Sequence, residues 1–127
     1  MNLNSKAWRE RIYYMLPEGW WMRFGNDLCD DIEGCLKKML PGAIDDFDIQ
    51  EAGDENGKLY IKCNWTTENL RNIFDKYQNL SIRTCICCGK PAEFISATYI
   101  EPLCAQHAPV NGAIPINEYL VQAIKEV

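Results

Sequence analysis

Near its carboxyl end the sequence runs TCICCGKPAEFISATYIEPLCAQH, where Cys85, Cys87, Cys88 and Cys104 stand beside His107, the only histidine of the chain. Written as spacing this is Cys85-x2-Cys88-x15-Cys104-x2-His107, two ligand pairs joined by a loop of intermediate length. Thiolates and a neutral imidazole in two such pairs suit a tetrahedral ion, and zinc is the usual occupant. A tight turn aims Cys85 and Cys88 at one point, and Gly89 can take a backbone conformation that a side chain opposes. A three-residue separation sets Cys104 and His107 on one side of a helical turn. Cys85-x-Cys87 is too cramped for a normal knuckle, so Cys87 is left unligated. With all four positions filled by protein, no site remains for an activated water, and the expected role of the zinc is structural.

That constraint sits within a chain of 127 residues, a length that fits one domain, here residues 1–127 with a zinc-binding subregion at 81–110. Apolar residues make up 47% and charged residues 24%, values of a folded rather than a disordered chain. No stretch approaches the roughly 20 apolar residues of a membrane span, and the first residues lack the apolar block of a secretory signal. We therefore expect a cytoplasmic protein, where an odd total of seven cysteines serves packing or metal rather than disulfides. Cys29 and Cys35 fall on different faces of one helix and should not bridge.

Periodicity predicts an α+β fold. Ala7, Trp8, Ile12 and Met15 mark a helix from Ser5 to Met15, stopped before Pro17. Trp21, Phe24, Leu28, Ile32, Cys35, Leu36 and Met39 form one face of a second helix that Pro41-Gly42 ends. Alternation at Phe47, Ile49 and Glu51 and again at Leu59, Ile61, Cys63 and Trp65, about the turn GDENGK, predicts a β-hairpin. Thr66 or Thr67 caps a third helix carrying Leu70, Ile73, Phe74, Tyr77 and Leu80. Between the ligand pairs, Ala92 to Ala97 and Thr98 to Glu101 are β-prone and suggest a short hairpin. Knuckle, hairpin and ligand-bearing turn together predict a site of treble-clef or zinc-ribbon type. Asn117 can cap a last helix with Leu120, Ile124 and Val127.

Candidate reaction chemistry is sparse. Zinc deaminases need a His-x-Glu motif, which is absent, and a treble-clef nuclease needs a histidine beyond the one assigned to metal. Cys87 has no second histidine to activate it as a nucleophile. Asp27, Asp30 and Asp31 suggest magnesium, but such a run on a helix face is usually solvated. We expect no enzymatic activity. A net charge of −5, with the excess of acids between residues 45 and 80, disfavours nucleic-acid binding, whose affinity comes largely from phosphate neutralisation. A small patch of Arg83, Lys90, Trp65 and Tyr99 keeps a nucleic-acid-binding zinc-finger regulator as the alternative.

The run from Ser81 through Thr84-Cys85-Ile86-Cys87-Cys88-Gly89 to Pro91, followed by Leu103-Cys104-Ala105-Gln106-His107, resembles a signature of small uncharacterised phage and prophage proteins. In these, S-x-x-T-C-x-x-C-G precedes L-C-x-x-H. Glu18-Gly19-Trp20 and Asn56-Gly57-Lys58-Leu59-Tyr60 look like counterparts of that group's GW segment and strand, so the likeness spans roughly residues 18–107. The basic and aromatic run the group carries at the strand is missing here. The resemblance implies a zinc site and a mobile-element origin, and carries no activity with it. The expectation is a non-enzymatic, zinc-stabilised protein that binds a host protein, with inhibition of a host defence or nucleic-acid enzyme as its mode. Trp20 and Trp21 cannot both face the core of one helix, so Trp20 either contacts the partner or packs back on the first helix. The acidic segment Asp45, Asp46, Asp48, Glu51, Asp54 and Glu55 either addresses a basic partner or is a soluble strand face.

Overall fold

A computed structural model describes residues 3–39 and 42–125. It is an α+β fold in the expected order: helices, a hairpin, a helix, the cysteine and histidine region, and a final helix. Helix α1 (Leu3–Met15) stops ahead of Pro17. The chain then re-enters a helix as α2 (Glu18–Trp20), passes through one π turn at Trp21–Gly25, and continues as α3 (Asn26–Lys37). The large buried side chains of this run are Trp20, Phe24, Leu28, Ile32 and Leu36, with Cys29 beside them. The core face therefore holds Trp20 in place of the expected Trp21. A four-residue step overshoots an ideal turn by about 40°, and the wider π turn absorbs part of that drift, keeping Trp20 in line with Phe24 and Leu28. Trp21 instead lies over Gly25, where an added Cβ would come within 2.1 Å of its ring.

After the short helix α4 (Ala43–Asp46), strands β1 (Ile49–Glu55) and β2 (Lys58–Cys63) form the predicted hairpin. Asn56 and Gly57 make its two-residue turn, with φ of 54° and 86°, the left-handed pair that matches strand twist. A register shift between Ile49 and Glu51 explains why alternation fails at the start of β1: Ile49 and Ala52 are buried while Gln50 and Glu51 are exposed. Phe47 lies before the strand, against Trp8 and Trp65.

Helix α5 (Glu68–Ile82) is capped by Thr67, whose side chain accepts from the Leu70 N–H at 3.3 Å. Its buried Ser81 fastens it to the hairpin: the hydroxyl accepts from the Leu59 N–H at 2.9 Å and donates to the Gln78 carbonyl at 2.6 Å. On the other side the Tyr77 hydroxyl reaches Asp31 of α3 at 2.5 Å, and that hydrogen bond chiefly holds the Asp31 carboxyl below its ordinary range.

In the C-terminal part, β3 (Phe94–Ser96), within the expected first arm Ala92–Ala97, pairs with β4 (Pro102–Leu103), while the expected second arm Thr98–Glu101 is no strand and serves as the connection between them. A third strand that the sequence reading did not anticipate, β5 (Ala113–Pro115), pairs on the other side, giving the order β4-β3-β5. Helix α6 (Ile116–Lys125) follows at once, so Asn117 lies within its first turn and is not its cap. Pro41 and Val127, and the Ile124 side chain, lie outside the described residues.

The hairpin tip touches the β3–β4 connection: a Cβ on Gly57 would come within 2.5 Å of the Ile100 carbonyl oxygen. Gly57→Ala therefore meets both a left-handed backbone and a backbone clash. It should lower stability by about 2 kcal/mol or more in urea unfolding, whereas substitution of the open, left-handed Gly42 should cost only about 1 kcal/mol.

Candidate metal centre

The ligand loop grows from the end of α5. The Thr84 hydroxyl donates to the Leu80 carbonyl at 2.7 Å and its N–H to Ser81 at 3.1 Å, which stops the helix. A bridge between Thr84 and Pro91, with the Cys85 N–H on the Lys90 carbonyl at 2.8 Å, closes the knuckle. Gly89 completes it with φ of 82° and an N–H donated to the Cys85 carbonyl at 3.0 Å, as the CxxCG spacing predicts. Strand β4 delivers the second pair. The Cys104 carbonyl accepts from the His107 and Ala108 N–H groups at 3.1 and 3.0 Å, winding a single turn that returns His107 over Cys104.

The four predicted donors converge. Cys88 Sγ lies 3.6 Å from Cys104 Sγ, while His107 Nδ1 lies 3.1 Å from Cys104 Sγ and 3.7 Å from Cys85 Sγ; all the donor atoms fall within 4.8 Å of one another. Bonds of about 2.3 Å to a tetrahedral ion place sulfur atoms roughly 3.8 Å apart, so the cluster is close enough to hold a metal ion in the geometry such donors favour. Cys85 and Cys104 are buried, Cys88 is half-buried and His107 is exposed. Nδ1 is the inward nitrogen, which sets Nε2 on the far side of the ring. Burial pushes the Cys85 thiol up, but the N–H groups of Cys104, Cys87 and Cys88 aimed at its sulfur outweigh that and bring it below its ordinary value. At Cys104 burial is likewise overcome, by the hydrogen bond to His107. Both shifts favour the thiolate, the form that ligates metal. Cys87 is exposed and outside the converging set.

The knuckle rests on helix α2. The Gly19 N–H donates to the Ile86 carbonyl at 3.0 Å, and a Cβ on Gly19 would lie 2.3 Å from the Cys85 oxygen and 2.7 Å from the N atoms of Cys88 and Gly89. Trp20 is fully buried, and its Nε1–H donates to the Thr84 carbonyl at 3.1 Å. Its place is therefore between helix and knuckle, and it is not a partner-contact residue. Gly19 is the positioning residue that composition and spacing alone did not assign to the site. Its signal is the small residue beside Trp20 at the start of a helix.

The other singled-out groups are engaged elsewhere. Asp30 pairs with Arg9 at 3.0 Å and Asp31 with Lys76 at 3.3 Å, and among the described residues these acids do not converge on a cation. Cys29 and Cys35 are both free thiols, and burial pushes Cys29 up to about 12. Trp65 donates to Asp46 at 2.9 Å and stacks edge-on to Phe47, while Tyr99, Arg83 and Lys90 are exposed. No helix among the described residues is long and apolar enough to cross a membrane. No protein-family model matches the chain, and no curated protein or solved structure matches it.

Two outcomes follow for this centre. Cys88→Ser and Cys104→Ser should each lose stoichiometric metal in elemental analysis of protein purified without chelators, with a fall in melting temperature on the order of 10 °C; Cys87→Ser should retain one equivalent. Gly19→Ala should cost about 1–3 kcal/mol in urea unfolding and weaken metal retention, because the knuckle must move to admit the methyl group.

Proposed function

We infer that this is a non-enzymatic, zinc-stapled protein of phage or mobile-element type that acts by binding another protein, with inhibition of a host defence or nucleic-acid enzyme as its mode. The observation carrying this reading is the donor set: three sulfurs and one ring nitrogen lie within 4.8 Å of one another, as many donors as a tetrahedral ion takes, and the surrounding backbone is fastened to α2. Such a centre holds shape and offers no coordination position to a substrate. Mixed sulfur and nitrogen donors without a redox motif favour zinc over iron. The chain's lone histidine belongs to that set, so no second imidazole serves as general base.

Binding to a protein rather than a polyanion is supported by the net charge of −5 and by the tie between Trp65 and Asp46, which removes one ring from the small basic and aromatic patch. The mobile-element assignment rests on the resemblance, carried chiefly by the Ser81–Pro91 and Leu103–His107 runs.

Capture experiments with the zinc-loaded chain in host lysate should return one specific protein at physiological salt, and chelation should abolish that capture. No specific protein, together with tight binding of DNA or RNA at the same salt, would reverse the reading in favour of a nucleic-acid regulator.

A further inference from the structure

The junction of α1 and α2 carries an exposed surface feature outside the metal centre. Tyr13, Tyr14, Leu16, Glu18, Trp21 and Met22 line an open cleft of about 460 Å³. Its rings stand nearly perpendicular to one another: Tyr13 and Tyr14 at 5.0 Å and 80°, Tyr13 and Trp21 at 5.1 Å and 89°. Tyr14 is 80% exposed and Met22 64%, so solvent reaches apolar surface that a folded chain normally covers.

Two electrostatic facts decide what fits there. Aromatic faces are negative and attract a cation within about 6 Å of the ring centre. The lining holds one carboxylate, Glu18, which is exposed and has no ion-pair partner among the described residues, and it holds no base. The acidic segment first considered for a basic partner is more committed: Asp46 binds Trp65, Asp48 binds Arg11, Glu51 accepts from Tyr60, and Asp54 accepts from the Gly57 N–H.

We propose that the Tyr13–Tyr14–Trp21 cleft, with Glu18 at its rim, is the docking site for a cationic side chain, an arginine, on a protein partner. A guanidinium suits it better than an ammonium, because its plane stacks on a ring while its N–H groups reach a carboxylate. This names the contact surface for the protein-binding reading above and rests on it for the identity of the partner class, though not for the chemistry of the cleft.

The probe is a short peptide bearing a single arginine, compared with the same peptide carrying uncharged citrulline, titrated into the zinc-loaded full chain and followed by NMR. The arginine peptide should shift the ring resonances of Tyr13, Tyr14 and Trp21 and the side chain of Glu18; the citrulline peptide should not. Tyr14→Ala and Glu18→Gln, both at exposed positions, should each weaken binding roughly two- to five-fold, while Glu51→Gln should leave it unchanged. Equal shifts with citrulline, or none with arginine, would overturn the site, as would concentration-dependent shifts of these rings without peptide, which would mark a second copy as the occupant. If the captured host protein binds Tyr14→Ala and Glu18→Gln as tightly as the parent chain, the cleft is not its contact and only this inference falls. If the arginine peptide binds but no host protein is captured, the cleft stands and the protein-binding reading falls.

Discussion

The approach of the Gly19 backbone to the Cys85 carbonyl is the contact on which the arrangement turns. Position 19 must be glycine for the backbone to come this close, and the opposing Gly89, whose own Cβ would lie 2.7 Å from the Gly19 oxygen, completes the fit. Because they touch, the Trp20 indole reaches the Thr84 carbonyl, and the Trp20 ring continues through Phe24 at 6.3 Å to Tyr77 at 5.6 Å. From Tyr77 a hydrogen bond runs to Asp31. The position of the knuckle is thus set by rings and hydrogen bonds spanning α2, α3 and α5, and a shift at Gly19 is felt across all of them.

The subregion that bears the donors needs this support. Its strands are only three, two and three residues long, and its buried apolar side chains, Ile86, Ile95 and Leu103 among them, are few. Strands this short do not stand alone, since a sheet needs a covered face to offset the entropy of ordering it. Two devices supply what area does not. One is the docking on α2; the other is the capacity of the four donors to hold a metal ion, whose binding free energy would be folding free energy for the loops it joins. They act on the same backbone, because Cys85 offers its sulfur to the cluster and its carbonyl to the Gly89 N–H while lying against Gly19.

Much of this was legible in the sequence because the relevant physics is local. The ligand set follows from spacing, the hairpin from alternation about GDENGK, the α5 start from Thr66 or Thr67, and the apolar faces from steps of three and four. What was not legible came from long-range partners. Strand β5 carries only Ala113, Ile114 and Pro115, too short for alternation to register, and exists because β3 offers it an edge. The choice of Trp20 over Trp21 depends on a π turn that no residue pattern announced, and on Thr84, 64 residues away, as the acceptor. The bulge at the start of β1 likewise hid the true face of that strand from a period-two reading.

Charge illustrates why a composition argument stops short of a surface. A net charge of −5 attracts basic partners at long range, but a Debye length of about 8 Å at physiological salt confines that attraction to an approach effect. Contact recognition needs groups that are not already occupied. Along residues 46–54 most carboxylates are bound within the chain, to Trp65, Arg11, Tyr60 and the Gly57 backbone, and breaking those bonds would offset what a new ion pair contributes. At the α1–α2 junction the rings of Tyr13 and Tyr14 and the Glu18 carboxylate face water, held by helices that the core already fixes through Trp8, Ile12 and Trp20. A preformed surface of this kind loses little entropy on binding, so modest contacts there count for more than larger numbers of charges that must first be released.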